Sequence, residues 1–110
     1  MTRETDILQA VRLRASQLGL TLFRNNSGML YNKDGTPVKY GLAKGSSDLV
    51  GWRSISTVAN GVIAQFIALE CKQPGKKPTP EQAAFINAVN KAGGIGAVIT
   101  DPAQLEEILK

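Results

Sequence analysis

Histidine is absent from the 110 residues, and cysteine occurs only once, as Cys71. Without histidine the chain has no Ser-His-Asp or Cys-His catalytic group, no histidine-ligated nuclease site and no ordinary zinc site. A single cysteine excludes an intramolecular disulfide and is typical of a reducing compartment such as the cytoplasm. Any hydrolytic chemistry is therefore expected to use carboxylates, lysine and a hard metal ion with oxygen ligands.

Long apolar runs are also missing from the sequence. A membrane-spanning helix needs about 18 or more apolar residues in a row, so no span is predicted. The amino-terminal MTRETD lacks the apolar segment of a secretory signal, and we expect a cytoplasmic protein. The length, with 43% apolar and 20% charged residues, predicts one globular domain over residues 1–110. The net charge of +4 fits either a polyanionic partner or simple solubility.

The order of apolar and turn-forming residues predicts an α/β fold. Helices are predicted over residues 3–18, from Pro80 onward and over 101–110; strands are predicted over 21–24, 49–56, 62–72 and 95–100. The segment around Asp34-Gly35 predicts a hairpin or an ordered loop. We expect the order α-β-β-β-α-β plus a C-terminal helix, with helices flanking a central mixed β-sheet on both faces. Strand 62–72 is expected to be central and covered on both sides, with Trp52 in the core.

The strand over 62–72 ends in an unusual way, with Glu70, Cys71 and Lys72. Side chains alternate along a strand, so Glu70 and Lys72 share one face while Cys71 points to the other. One interpretation is an ordinary Glu–Lys ion pair at the end of a strand. The other is a functional site, since charged residues are rarely buried unless they are paired or bound.

A second carboxylate favours the functional interpretation. Asp48 begins the preceding strand, directly after a Gly/Ser-rich loop. A hairpin that turns at Asn60-Gly61 would place Asp48 opposite position 73, close to the Glu70–Lys72 segment. Two carboxylates and a carbonyl form a hard-metal site of the Mg²⁺ or Mn²⁺ type, and a neighbouring lysine orients water or stabilises phosphate charge.

Asp48, Glu70 and Lys72 together form a pattern that resembles a known family. An aspartate followed by Glu-x-Lys at a strand end resembles the PD-(D/E)xK nuclease superfamily, and the chain as a whole is similar to a stand-alone VRR-NUC (virus-type replication-repair nuclease) domain. The resemblance is carried by FRNNSG (23–28), GSSDLVG (45–51), ALECK (68–72), G-K-x-P-T-P-E-Q (75–82) and GG-x-G-x-V (93–98). One position departs from the family pattern, since Ser47 stands where a proline usually precedes the metal aspartate.

The resemblance implies a restriction-endonuclease-like core and specific roles. Asp48 and Glu70 would ligate the metal together with the backbone carbonyl of Cys71, and Lys72 would position or activate the attacking water. Gln82 would lie close to the site, although its spacing from Thr79 equally predicts a capping box. Glu4 would supply a further carboxylate, although it equally fits a solvated residue at a helix start.

Polar and basic residues in three loops are candidates for nucleic-acid contacts. In this interpretation they bind phosphates, and in the alternative they are solvated loop residues. They are Arg24, Asn25 and Ser27 after the first strand, Lys44, Ser46 and Ser47 before Asp48, and Lys76 and Lys77 after the Glu-x-Lys strand.

The resemblance therefore predicts a metal-dependent DNA endonuclease of bacterial or phage origin. Compact stand-alone members resemble Holliday-junction resolvases, which implies cleavage of four-way junctions by a homodimer. Two alternatives are a DNA-binding module without catalysis and a less selective nuclease in phage replication or repair. A restriction enzyme that recognises a base sequence would need further elements for which the chain has little room.

Overall fold

The computed structural model describes residues 3–110, which form three helices and six strands. They are α1 (Glu4–Gln17), β1 (Thr21–Arg24), β2 (Gly28–Tyr31), β3 (Pro37–Tyr40), β4 (Leu49–Thr57), β5 (Gly61–Cys71), α2 (Pro80–Lys91), β6 (Ile95–Ile99) and α3 (Gln104–Ile108). The predicted α/β class is confirmed, and the three helices and the four strands of the main sheet follow one another as predicted, with β2 and β3 as two further strands. The segment around Asp34-Gly35 is a hairpin, the first of the two predicted alternatives.

Four strands form one mixed sheet in the order β1-β4-β5-β6. Strand β4 pairs antiparallel with both β1 and β5, whereas β5 and β6 are parallel. Strands β2 and β3 form a separate two-stranded sheet. The central strand β5 thus presents its C-terminal end between the start of β4 and the end of β6.

Alternation along β5 divides the sheet into two faces. Ile67, Leu69 and Cys71 are buried in a core to which α1 and α3 contribute. Ala68 and Glu70 point to the opposite face, where α2 packs against β5 and β6. Helices therefore flank both faces, as predicted.

Two predictions about the core need correction. Only residues 67–71 of β5 are fully buried, and the N-terminal half of the strand is largely exposed. Trp52 is 41% exposed rather than in the core. The reason is the position of α2, which packs on β5 and β6 and leaves β4 largely uncovered on that face.

The predicted register of the β4–β5 hairpin is also wrong, by three residues. The loop spans residues 58–60, and Thr57 pairs with Gly61 while Leu49 pairs with Leu69. The turn is therefore centred one and a half residues before the Asn60-Gly61 bond. The next pair in this register is Asp48 with Glu70, so the two carboxylates are closer than the sequence predicted.

The terminal helix is shorter than predicted. Its first residue is Gln104, and Asp101 lies in the preceding turn, where its Oδ1 accepts a hydrogen bond from the Ala103 amide at 2.8 Å. No helix within residues 3–110 is long and apolar enough to cross a membrane.

Candidate metal centre

Three carboxylates converge at the C-terminal end of β5. Glu4, at the first position of α1, joins Asp48 and Glu70, and carboxylate oxygens of all three lie within 4.8 Å of one another. Their environments differ: Glu4 is exposed, Asp48 is intermediate and Glu70 is buried. The structure thus brings together the three side chains that the sequence proposed as metal ligands.

Glu70 is the buried member of this cluster. It is 1% exposed, and its Oε1 has no hydrogen-bond partner within residues 3–110. Burial, followed by a hydrogen bond and the negative charge of Asp48, raises the pKa of Glu70 to about 9. A buried carboxylate with a free oxygen is costly, and a cation at that oxygen would remove the cost.

Asp48 is held in place by the backbone on both sides. The Cys71 amide donates a hydrogen bond to Asp48 Oδ2 at 2.8 Å. The Asn25 amide donates to the backbone carbonyl of Asp48 at 2.7 Å. The carboxylate is therefore fixed at the start of β4, between the end of β1 and the end of β5.

Cys71 contributes through its backbone rather than its thiol. Its side chain is fully buried on the α1 face. Burial, reinforced by the nearby negative charges of Asp48 and Glu70, raises the pKa of the Cys71 thiol to about 12. A thiol this basic is not a nucleophile at neutral pH, and the Cys71 carbonyl stays a predicted ligand.

Lys72 lies one residue beyond β5, where its amide donates to the Ile99 carbonyl at 2.9 Å. Its positive charge acts on Glu70, whose pKa it lowers against the larger effects of burial and Asp48. Lys72 is therefore electrostatically linked to the carboxylates, as the Glu-x-Lys spacing predicted.

The loop before Asp48 is attached to β1 by Asn25. The Asn25 Nδ2 donates to Ser46 Oγ at 2.8 Å and to the Ser47 carbonyl at 2.9 Å. Asn25 was predicted to contact phosphate, but these bonds use its amide group inside the protein. Ser46 and Ser47 are both buried, and Ser47 is fully inaccessible. Asn25 and Ser46 also line the cavity that contains Asp48 and Glu70, so phosphate contact by these two residues stays a prediction, whereas Ser47 is inaccessible.

Gly45 allows the same loop to approach α2. Its φ is +86°, and a Cβ at this position would lie 2.6 Å from the carbonyl carbon of Glu81. Any other residue would combine a strained backbone with a backbone clash. The loop, the first turn of α2 and the carboxylates are thereby held close together.

Gln82 has the geometry of both predicted alternatives. Its Oε1 accepts a hydrogen bond from the Thr79 amide at 2.8 Å, and Thr79 Oγ1 accepts from the Gln82 amide at 3.2 Å, which completes a capping box. Gln82 also lines the cavity that contains Asp48 and Glu70. The capping role is thus present, and the side chain lies beside the carboxylates.

Exposed basic residues surround this end of the sheet. Lys76 and Lys77 are exposed in the loop after β5, and Ser27 is exposed at the cavity. Lys44 lies 4.0 Å from Glu81, an exposed pair of small energetic value. Arg24 is exposed, and its Nε donates to Asn26 Oδ1 at 3.0 Å. These four cations and Ser27 remain candidates for phosphate contact.

Asp48 and Glu70 open into a polar cavity of about 390 Å³. Asn26, which the sequence places beside the other candidate phosphate contacts after β1, also lines it, as does Tyr40, which the sequence did not indicate. Tyr40 ends β3 directly before the loop that leads to Asp48, and that position was the available signal. The side chains that line the cavity are mainly oxygen and amide donors, which suits a hard divalent cation better than a soft one.

Comparison of the chain with protein-family models, with curated proteins and with solved structures found no match. The functional inference therefore depends on the residues of this cavity.

Proposed function

We propose that the protein is a divalent-metal-dependent endonuclease that hydrolyses DNA phosphodiester bonds, built on a restriction-endonuclease-like core of the VRR-NUC type. The observation that carries the proposal is the convergence of Glu4, Asp48 and Glu70, with one Glu70 oxygen buried and unpartnered. Lys72 beside them completes the Asp, Glu-x-Lys pattern.

Mg²⁺ or Mn²⁺ is the proposed cofactor. Three carboxylates within 4.8 Å repel one another when ionised, and a hard cation offsets that repulsion. Asp48 and Glu70 are the proposed principal ligands, with the Cys71 carbonyl and Glu4 completing the set. When bound, such a cation supplies Lewis-acid polarisation of phosphate and a lowered pKa for water.

The protein's own residues would supply charge and orientation. Lys72 is close enough to influence Glu70, so its ammonium is placed to stabilise negative charge on a phosphate or to orient a water. Gln82 offers its amide nitrogen, because its Oε1 is already used in the capping box. The exposed cations Arg24, Lys44, Lys76 and Lys77 lie in the loops that adjoin the carboxylate-bearing strand ends and would hold the DNA backbone.

Four-way junctions are the proposed substrate, and the acting species would be a homodimer. Resolving a junction requires two symmetric cuts, so two copies of the site are needed. The chain of 110 residues spends most of its length on the sheet and its helices, which leaves few elements for recognising a base sequence.

The test compares purified wild type with Lys72→Ala on labelled four-way junction, duplex and single-stranded DNA. Each substrate is incubated with Mg²⁺, Mn²⁺ or EDTA. Lys91→Ala is the matched control, because Lys91 is an exposed lysine in the last turn of α2, away from the cavity. We expect paired symmetric nicks in the junction, lost in EDTA and reduced about 100-fold or more by Lys72→Ala alone.

Other outcomes separate the alternatives. Equal cutting of all three substrates would support the nuclease activity but contradict the proposed preference for four-way junctions. DNA binding without any cutting, under every metal condition, would contradict the enzyme and support a DNA-binding module.

A further inference from the structure

The face of the sheet that α2 leaves uncovered carries an unusual group of exposed aromatic residues. Trp52 on β4 is directly opposite Phe66 on β5, and Phe23 on β1 lies against Trp52 with ring centroids 5.8 Å apart. Phe23 is 55% exposed, Trp52 41% and Phe66 43%. We call the surface formed by Phe23, Val50, Trp52, Ala64 and Phe66 the aromatic face.

The shape of this surface is a ridge between two grooves. Phe66 and Ala64 line both a groove of about 330 Å³ toward Phe23 and Trp52 and a groove of about 830 Å³ toward α2. The second groove is lined further by Leu42, Ile55, Ile63, Phe85 and Ala88. A surface that carries both a projecting aromatic ring and a groove to receive one is self-complementary, which a two-fold contact requires.

The charge of the surface favours a second copy over nucleic acid. The residues that line the two grooves include no Asp, Glu, Lys or Arg. A phosphate backbone would find no cation there. Two copies of a chain that carries +4 would meet there without placing like charges against each other.

The chain exposes enough surface to supply an interface of standard size. Its accessible area is 7185 Å², whereas a compact monomer of this mass exposes about 5,900 Å². Its radius of gyration is 15.3 Å, compared with about 13 Å for a compact chain of this length. The excess of roughly 1,300 Å² exceeds the roughly 800 Å² that each partner contributes to a standard interface.

We propose that the aromatic face is the contact surface of a two-fold homodimer, with Phe66 of each copy seated in a groove of the other. This contact surface would position the second copy that the proposed function requires. The biological role of the dimer therefore rests on the proposed function. The two grooves share no lining residue with the carboxylate cavity. Phe66 and Glu70 are four residues apart on one strand, about 13 Å, so the dimer contact and the carboxylate cavity use separate parts of the same sheet face.

Trp52 is the chain's only tryptophan, so its fluorescence reports directly on this surface. The experiment follows its emission and the sedimentation of wild type from about 1 to 100 µM, the range of an ordinary homodimer Kd, in EDTA and without DNA. We expect a species of twice the 11.7 kDa chain mass and a blue shift of Trp52 emission with the same midpoint. Phe66→Ser should raise the dimer Kd at least about 30-fold.

Leu13→Ser is the matched control, because Leu13 is an equally apolar, 64% exposed residue on α1 outside the aromatic face. It should leave the dimer Kd unchanged. Circular dichroism checks that Phe66→Ser is folded. If this variant is unfolded, the concentration dependence of Trp52 emission in wild type tests the proposal instead. A wild type that stays monomeric at 100 µM, or a dimer whose Trp52 emission does not move, overturns the proposal. Neither result depends on nuclease activity, so failure here is distinct from failure of the proposed function.

Discussion

The Cys71 amide donates a 2.8 Å hydrogen bond to the side chain of Asp48, 23 residues earlier in the chain. This bond links the first residue before β4 to the last residue of β5. Because Cys71 follows Glu70, the same bond that fixes the Asp48 carboxylate also fixes its spacing from the Glu70 carboxylate. The candidate site is thus built into the antiparallel pairing of two strands.

The stability of the metal-free protein should depend on the ionisation of Glu70. Its pKa in the folded protein, about 9, lies above the value of 4.5 for an ordinary glutamate. Its contribution to the free energy of unfolding is therefore fully present below about pH 4.5 and is lost as the pH rises toward 9. In EDTA, Tm should fall more steeply over this range in wild type than in Glu70→Gln, as measured by differential scanning fluorimetry.

Adding Mg²⁺ or Mn²⁺ should reverse this loss, since a cation binds the ionised carboxylate. The Tm increase should be larger at pH 8.5 than at pH 6, within the window set by the raised pKa of Glu70. Glu107→Gln is the control, because Glu107 is an exposed carboxylate paired with Lys110. A metal-induced increase in Glu70→Gln as large as in wild type would contradict the assignment.

Asn25→Ala should reduce activity, because Asn25 holds the loop that leads to Asp48 and also lines the cavity. The change removes the side-chain donors to Ser46 and Ser47, so only backbone bonds still hold the loop that leads to Asp48 against the end of β1. We expect a loss of about 10- to 100-fold in cleavage, with a higher Mn²⁺ concentration for half-maximal rate. Asn60→Ala, in the exposed loop between β4 and β5 and outside the cavity, should leave the Mn²⁺ dependence unchanged. An unaltered Mn²⁺ dependence in Asn25→Ala would leave Asn25 without a positioning role.

Gly45→Ala and Gly75→Ala form a matched pair. Both glycines have φ of +86°, but only at Gly45 would the new Cβ clash with backbone, that of Glu81; around Gly75 there is nothing within 4 Å. Gly75→Ala should cost about 1–2 kcal/mol from backbone strain. Gly45→Ala should cost more and should also reduce cleavage, because the loop must move away from α2. Equal free energies of unfolding for the two variants, measured by urea denaturation, would show that the contact is not restrictive.

Gln82→Ala and Gln104→Ala separate capping from participation in the site. Each glutamine accepts a 2.8 Å hydrogen bond at a helix start, Gln82 from the Thr79 amide and Gln104 from the Thr100 amide. Each change should cost a similar 0.5–2 kcal/mol, or about 1 kcal/mol on average. Only Gln82→Ala should also lower cleavage at a temperature where both variants are fully folded. Full activity in Gln82→Ala would limit Gln82 to its capping role.

Much of this site was predictable from local sequence patterns. The alternation rule placed Glu70 and Lys72 on one face, and the Gly/Ser-rich loop before a strand indicated where Asp48 would lie. The capping box at Thr79 and Gln82 followed from spacing alone. These features depend on contacts within a few residues, which the sequence displays directly.

Other features depend on contacts between distant residues and were missed. The hairpin register was wrong because turn residues mark a loop without fixing its centre, and a shift of three residues left both strands plausible. The bonds from Asn25 to Ser46 and Ser47 were not foreseen, because nothing in NNSG shows that these residues are its partners. The prediction that Trp52 lies in the core was wrong because the sequence does not show which strands α2 covers. That depends on how the helix packs against the sheet.

Direct binding of Mn²⁺ tests the central claim, that the three carboxylates form a metal centre. Isothermal titration calorimetry at pH 8.5 would compare wild type, Glu70→Gln and the control Glu107→Gln. We predict one class of Mn²⁺ site in wild type and in Glu107→Gln, and loss of that site in Glu70→Gln. Absence of binding to wild type, or equal binding by Glu70→Gln, would contradict the metal centre and the nuclease proposed from it.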